Sequence, residues 1–262
     1  MSGRFDWLEV ERRRAREAPG PAEAYDAGLY LQRAERAFRR GEREAALKLY
    51  GQCLGEDASR LDAWLGQVLC LGELGEWDEA RVWSAKALER FPGAPELLAA
   101  RAWVFAGLGL ADAAMEHADA ALANRAPSPW VWLLRGLVLL RLEKERGAET
   151  RCFQKALESG DPDGALALRA ALGYLEAGLP ASARSLLEDA VERDPQNALA
   201  WRSLGEAFEG LYVVGRAISC HERALALKPE FKDDALDDLH HLRARPWWRA
   251  AIGRARAWLG GF

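Results

Sequence analysis

The residues of this chain that could do metal chemistry are few and scattered. The densest group of potential ligands is Cys220, His221, His240 and His241. Their spacing matches no structural zinc pattern. His221-Glu222 begins like a zinc-protease helix motif, but Leu225 stands where the second histidine is required. We therefore predict no metal site.

Other catalytic constellations are equally weak. No glycine loop of the phosphate-cradling type is present, and Gly107–Gly109 fits a simple turn. Carboxylates are numerous, but they fall on helix faces that the sequence pattern leaves in solvent. None of them forms a pair in an apolar pocket, as general acid–base chemistry would need. We predict a protein that is not an enzyme and holds no cofactor.

Composition and charge argue against several other classes of protein. The chain has 262 residues and a formal net charge of -4, which argues against a general nucleic-acid binder because such proteins cluster Lys and Arg. No apolar run approaches the length of a membrane span, and the N-terminal stretch has no apolar signal core. Four cysteines without paired spacing indicate reduced, mostly buried thiols. We expect a cytoplasmic protein.

The elements that would position any site follow a repeat. An Ala-Leu pair or a close variant recurs at steps of 34 or 35 residues. The pairs are Cys53-Leu54, Ala87-Leu88, Ala121-Leu122, Ala156-Leu157, Ala190-Val191 and Ala224-Leu225. A period of about 34 residues is typical of helix–turn–helix units stacked into a solenoid.

Other positions repeat in phase with these pairs. Small residues recur at Ala46, Ala80, Ala114, Ala183 and Ala217, and again at Ala34, Ala102, Gly136, Ala171 and Gly205, with Val68 as the larger member of that row. Small side chains allow two antiparallel helices to approach closely. Turn glycines stand at Gly41, Gly75, Gly109 and Gly178, where a glycine ends the first helix and reverses the chain.

The pattern resembles the tetratricopeptide repeat family, whose signature is a large hydrophobic residue, Leu-Gly, Tyr, then Gly, Ala, Phe, Ala and Pro. The last repeat carries Trp201, Leu204-Gly205, Phe208, Ala217, Ala224 and Pro229. We predict six repeats, at 27–60, 61–94, 95–128, 129–163, 164–197 and 198–231. The resemblance implies an all-α, right-handed α-solenoid with terminal capping helices. The fourth repeat has one extra residue, which we place in a longer turn at 143–147.

The two ends differ from the repeats. Residues 1–26 are predicted to form a charged helix and a linker, and residues 232–262 a capping helix followed by a tail rich in Trp and Arg. In the tail, Trp247, Trp248, Ile252 and Trp258 lie along or beside an apolar helical stripe. The tail either packs on the solenoid as a further cap or is an amphipathic element for a membrane surface or a partner groove.

In this family the first helix of each repeat lines a concave face. The resemblance therefore implies that the inward positions of repeats two to five form an apolar partner-binding groove. These residues are Leu65, Leu69, Trp103, Trp130, Leu133, Leu137, Leu140, Leu168, Leu172 and Leu175. The last repeat is polar there, with Arg202, Glu206 and Glu209. Family members that clamp a peptide carboxylate use Lys and Asn at positions that this chain fills with other residues.

We predict a protein–protein interaction adaptor or scaffold that binds an apolar helix or extended segment of a partner in this groove, with Trp103 as the anchor. A second copy of the chain, or its own terminal helix, would be an alternative occupant. The alternative function is a membrane-proximal assembly factor, recruited through the Trp/Arg tail. Nucleic acid is not an expected partner.

Overall fold

A computed structural model describes residues 26–123, 127–143, 147–158, 161 and 164–228. Those residues form helices and turns and contain no strand. In chain order the helices are α1 Ala27–Arg39, α2 Arg43–Glu56, α3 Leu61–Glu73, α4 Trp77–Arg90, α5 Pro95–Gly107 and α6 Ala111–Leu122. They are followed by α7 Pro129–Arg141, α8 Ala148–Glu158, α9 Ala165–Glu176, α10 Pro180–Arg193, α11 Ala198–Gly210 and α12 Val214–Leu227.

The chain divides into two compact units, Met1–Val138 and Leu139–Phe262. The N-terminal unit contains α1 to α6 and most of α7, and the C-terminal unit contains the end of α7 and α8 to α12. Within the units, α1 packs against α2, α3 against α4, α5 against α6, α9 against α10 and α11 against α12. This is the all-α solenoid class that the period predicts.

Local sequence explains where several helices begin and end. The Asp26 carboxylate accepts a hydrogen bond from the Gly28 N–H, and Asn197 Oδ1 accepts one from the Ala200 N–H, so both residues cap helix N-termini. Proline is the first residue of α5, α7 and α10, where its missing N–H costs nothing.

The turns inside the pairs use a left-handed residue. Gly41, Gly75, Gly109 and Gly178 all have φ between 70° and 78°. Tyr212 occupies the same turn position in the last pair and has φ 59°. A residue with a Cβ is strained there, because the Cβ approaches the following carbonyl oxygen.

The fourth pair is irregular where the extra residue is predicted. α7 ends at Arg141 and α8 begins at Ala148, whereas the other pairs have three residues between their helices. Within that longer connection Glu143 and Gly147 both have positive φ, at 51° and 84°. The connection is longer than its counterparts, as predicted.

The two small-residue rows form the core of both units. Every alanine of both rows is 0 % exposed. The first residue of each Ala-Leu pair is also buried, but Leu88, Leu122, Leu157 and Leu225 are only partly buried. The small residues therefore lie at the closest helix–helix approaches, and larger residues fill the space around them.

Recurrent polar contacts join the helices to the loops before them. The indole N–H of Trp64 donates to the Ala58 carbonyl at 3.0 Å, and that of Trp201 donates to the Pro195 carbonyl at 3.0 Å. Each contact spans six residues and lies at the equivalent place of its repeat. The contacts satisfy loop carbonyls that a helix cannot reach.

Candidate partner-binding surface

The ten residues predicted to line a groove do not share one environment. Five of them are buried: Leu65, Leu69, Trp103, Leu133 and Leu168, with at most 7 % of any side chain exposed. Side chains buried to this degree pack against neighbouring helices, so they do not offer free contact area to a partner. For these five a binding role stays a prediction, and their burial does not favour it.

Trp103 shows most clearly why a predicted groove residue is buried. Its ring lies 5.0 Å from the ring of Trp77, centroid to centroid, in an edge-on arrangement at 71°. A Cβ added to Gly72 would collide with the Trp103 ring, and one added to Gly107 would collide with the Trp77 ring. Two glycines thus leave the space that the two indoles fill. Trp103 is a core residue of the N-terminal unit, and this burial does not favour its predicted role as the anchor for a partner.

The other five residues remain partly exposed: Trp130, Leu137, Leu140, Leu172 and Leu175. Trp130 and Leu137 belong to the N-terminal unit, and the three leucines Leu140, Leu172 and Leu175 belong to the C-terminal unit. We call these three the leucine surface. Two of them are on α9 at a spacing of three residues, which places them on one helix face.

An ion pair connects the helices that carry the leucine surface. Arg141 Nη2 donates to Glu176 Oε2 at 2.9 Å, so the last residue of α7 contacts the last residue of α9. These residues directly follow Leu140 and Leu175 in the chain. The sequence-based prediction did not include Arg141 and Glu176, because the last positions it took from these first helices were Leu140 and Leu175. Their opposite charges, 35 residues apart, were the available signal.

The next first helix, α11, carries charged residues instead of leucines. Arg202 Nε lies 3.4 Å from Glu206 Oε1. Glu209 Oε1 lies 2.7 Å from Nε2 of His221 on α12. The His221 side chain is 0 % exposed. Glu206 and Glu209 are partly exposed, so carboxylates follow the leucine surface on the neighbouring helix. The predicted polar character of the last repeat is therefore present in the C-terminal unit.

His221 is a packing residue. A Cβ on Gly205 would lie 2.6 Å from the imidazole Cε1 and Nε2 atoms, so the ring fills the space above that glycine. Among the described residues no group of three or more His, Cys, Asp and Glu side chains is arranged to hold a metal ion. His240 and His241 lie outside those residues.

The four cysteines are free and buried. Burial raises the pKa of Cys53 and of Cys220 to about 11, because the protein interior disfavours the thiolate. Cys53 also donates its thiol hydrogen to the Ala27 carbonyl at 3.3 Å. A thiol with a raised pKa is a poor nucleophile at neutral pH, and these two side chains act as small core residues.

The predicted tail contacts Trp247, Trp248, Ile252 and Trp258 lie outside the described residues, as do both predicted terminal segments apart from Asp26. Where the structure describes the chain, it contains no helix with the length and apolar character needed to cross a membrane.

Known proteins share this arrangement of helices. Models of the tetratricopeptide repeat match residues 37–104 and residues 168–230. Together the two matches span half of the 262 residues. No curated protein sequence matches the chain significantly.

Solved structures of repeat proteins are similar in fold. A tetratricopeptide repeat protein from Parabacteroides merdae is 19% identical with a TM-score of 0.52, and 92% of each chain is covered. The APC/C hetero-tetramer Cut9-Hcn1 is 18% identical with a TM-score of 0.53, over 92% of this chain. That match spans only 46% of the other chain. At such identities the likeness concerns the fold alone. The family models and the shared fold establish that the chain belongs to the tetratricopeptide repeat family.

Proposed function

We propose that the protein is a non-enzymatic interaction adaptor, and that the leucine surface of its C-terminal unit binds an apolar segment of a partner protein. Proteins built from this repeat generally serve protein–protein interaction. The finer proposal is supported by one observation: Leu140, Leu172 and Leu175 stay partly exposed, while Leu168 on the same α9 helix is 4 % exposed.

Large apolar side chains at the surface gain free energy when a partner covers them, by roughly 25 cal/mol per Å² of apolar area removed from water. Three leucines on two adjacent helices suit the apolar face of an amphipathic helix, whose own apolar residues recur every three or four positions. Arg141 and Glu176 directly follow Leu140 and Leu175 in the chain, and the next first helix, α11, carries the carboxylates of Glu206 and Glu209. A segment with basic residues beside its apolar stripe would therefore be complementary.

Site-specific photocrosslinking tests this proposal. A photoreactive phenylalanine placed at position 172 of the full chain should crosslink a partner, which peptide mass spectrometry then identifies. Leu172→Asp and Leu175→Asp should each weaken binding of that purified partner by tenfold or more, because each puts an unpaired charge into an apolar contact. Leu179→Asp is the matched control, since Leu179 is a 42 % exposed leucine in the turn after α9.

A deletion and the same crosslink distinguish the possible occupants of the leucine surface. If residues 244–262 of the chain itself cover the surface, deleting them should strengthen partner binding. If a second copy covers it, the crosslink should join two copies of the chain. Equal effects of Leu172→Asp and Leu179→Asp on binding would contradict a binding role for the leucine surface.

The membrane-proximal alternative depends on the composition of the tail, with four arginines and no acidic residue in 244–262. Co-sedimentation with anionic vesicles, with and without these residues, tests it. Binding that survives the deletion would contradict recruitment through the tail.

A further inference from the structure

A half-buried arginine in the N-terminal unit has no carboxylate partner among the described residues. Arg101, on α5, donates from Nη1 to Ser84 Oγ at 3.4 Å, which is a long contact. Its guanidinium carbon lies 4.8 Å from the centroid of the Phe105 ring, one helical turn later. The Ser84 hydroxyl already donates to the Arg81 carbonyl at 2.9 Å. Among the described residues, the five N–H donors of Arg101 make one hydrogen bond, and it is long.

The charged residue that acts on Arg101 is another arginine, Arg81. Burial and the positive charge of Arg81 both lower the pKa of Arg101. Arg81 itself lies 3.6 Å from Asp78, and both of those side chains are largely exposed, so their attraction is screened by water. Arg101 therefore has a like charge acting on it and forms no ion pair with a described carboxylate.

In the next repeat, the arginine equivalent to Arg101 forms an ion pair. α5 and α7 begin 34 residues apart, at Pro95 and Pro129, so Arg135 is the repeat equivalent of Arg101. Arg135 Nη1 donates to Asp119 Oδ1 on α6 at 2.6 Å. α4 and α6 also begin 34 residues apart, at Trp77 and Ala111. The equivalent of Asp119 is consequently Ala85, which supplies no carboxylate.

The Arg101 guanidinium lies against a buried aromatic ring. Phe105, against which Arg101 lies, is 8 % exposed and is contacted from another side by the ring of His117, with centroids 5.1 Å apart at 78°. An arginine positioned on a fixed aromatic ring loses little side-chain entropy when it forms hydrogen bonds. A bound carboxylate would accept charge-assisted hydrogen bonds, which are short and strong.

We propose that Arg101, with Arg81 beside it, binds an aspartate or glutamate carboxylate of an acidic partner segment, in the place that Asp119 occupies at Arg135. The ligand is a carboxylate because a carboxylate fills the equivalent position in the same unit. The site uses none of the residues of the leucine surface, so either proposal can fail without the other.

Binding of a fluorescent hexa-aspartate peptide to the full chain at low ionic strength, followed by anisotropy, tests the proposal. The native chain should bind the peptide and should not bind hexa-asparagine. Arg101→Gln should weaken binding about tenfold or more, as expected when a charge-assisted hydrogen bond is lost. Ala85→Asp should weaken it to a similar extent, because the new carboxylate would occupy Arg101 from within the chain.

Arg135→Gln is the matched control, since it removes an arginine from the equivalent helix position that is already paired. It should leave binding within about twofold of the native value if pairing to Asp119 withdraws Arg135 from ligands. Far-UV circular dichroism checks that each variant is folded, and Ala85→Asp keeps the test decisive if Arg101→Gln unfolds. The proposal is overturned if Arg101→Gln and Ala85→Asp bind the peptide as the native chain does. It is also overturned if the native chain does not bind the hexa-aspartate peptide.

Discussion

The indole rings of Trp77 and Trp103 meet edge to face, 5.0 Å apart between centroids, over two helical glycines, Gly72 and Gly107. Edge-to-face geometry brings the positive rim of one ring to the negative face of the other. The pair joins α4 to α5, the second helix of one repeat to the first helix of the next. Trp103 therefore stabilises the junction between repeats in the N-terminal unit.

Trp103→Ala should lower the free energy of unfolding by about 3–5 kcal/mol, the usual range for a buried Trp or Phe replaced by Ala. Urea unfolding followed by circular dichroism measures it. Trp130→Ala is the comparison, because Trp130 is partly exposed on α7 and should cost clearly less. Equal losses at the two positions would contradict the packing role assigned to Trp103.

Gly72→Ala should also destabilise the protein, because the added methyl group collides with the Trp103 ring. Overpacking of this kind typically costs about 1–3 kcal/mol. Gly215→Ala is a suitable control, since a Cβ on this helical glycine of α12 meets nothing within 4 Å. The control should gain up to about 1 kcal/mol from helix propensity. A stabilising Gly72→Ala would show that the two indoles can move apart.

Tyr212→Gly should stabilise the last helix pair by about 1 kcal/mol. Tyr212 has φ 59° at a turn position where four other pairs have glycine, and the left-handed conformation costs a residue with a Cβ roughly 1–2 kcal/mol. The glycine also raises the entropy of the unfolded chain, which offsets part of the gain. Gly178→Ala is the reverse experiment and should destabilise. Thermal unfolding of both variants decides the sign, and a destabilised Tyr212→Gly would mean that the exposed ring makes a contact worth more than the strain.

The buried thiols predict a loss of stability at alkaline pH. The pKa values of Cys53 and Cys220 are raised from 9.0 to about 11 in the folded protein. The folded state therefore retains these protons when the unfolded state loses them. The contribution of the two protonated thiols to the free energy of unfolding is complete below pH 9.0 and is lost as pH rises toward about 11. Urea unfolding across this range should show a smaller decline for the Cys53→Ala/Cys220→Ala double variant, and identical declines would contradict the shifted pKa values.

The sequence alone determined the repeat and most of its local structure. Period, small-residue rows and turn glycines arise from contacts within one helix pair and its neighbours, which recur identically and so leave a readable pattern. The burial of Ala34, Ala80 and Ala217 follows from that pattern. The longer connection before α8 was also visible, because one extra residue breaks the period.

Only the tertiary structure decided which residues of the first helices reach the surface. A repeat position predicts a direction from the helix axis, but the room available there depends on side chains of the neighbouring repeat. Trp103 is buried because Gly72 and Gly107 leave space for two indoles, whereas Leu172 on α9 stays partly exposed at the equivalent position. The unpaired Arg101 became evident in the same way, because the pairing of Arg135 with Asp119 is a contact between helices that sequence spacing does not report.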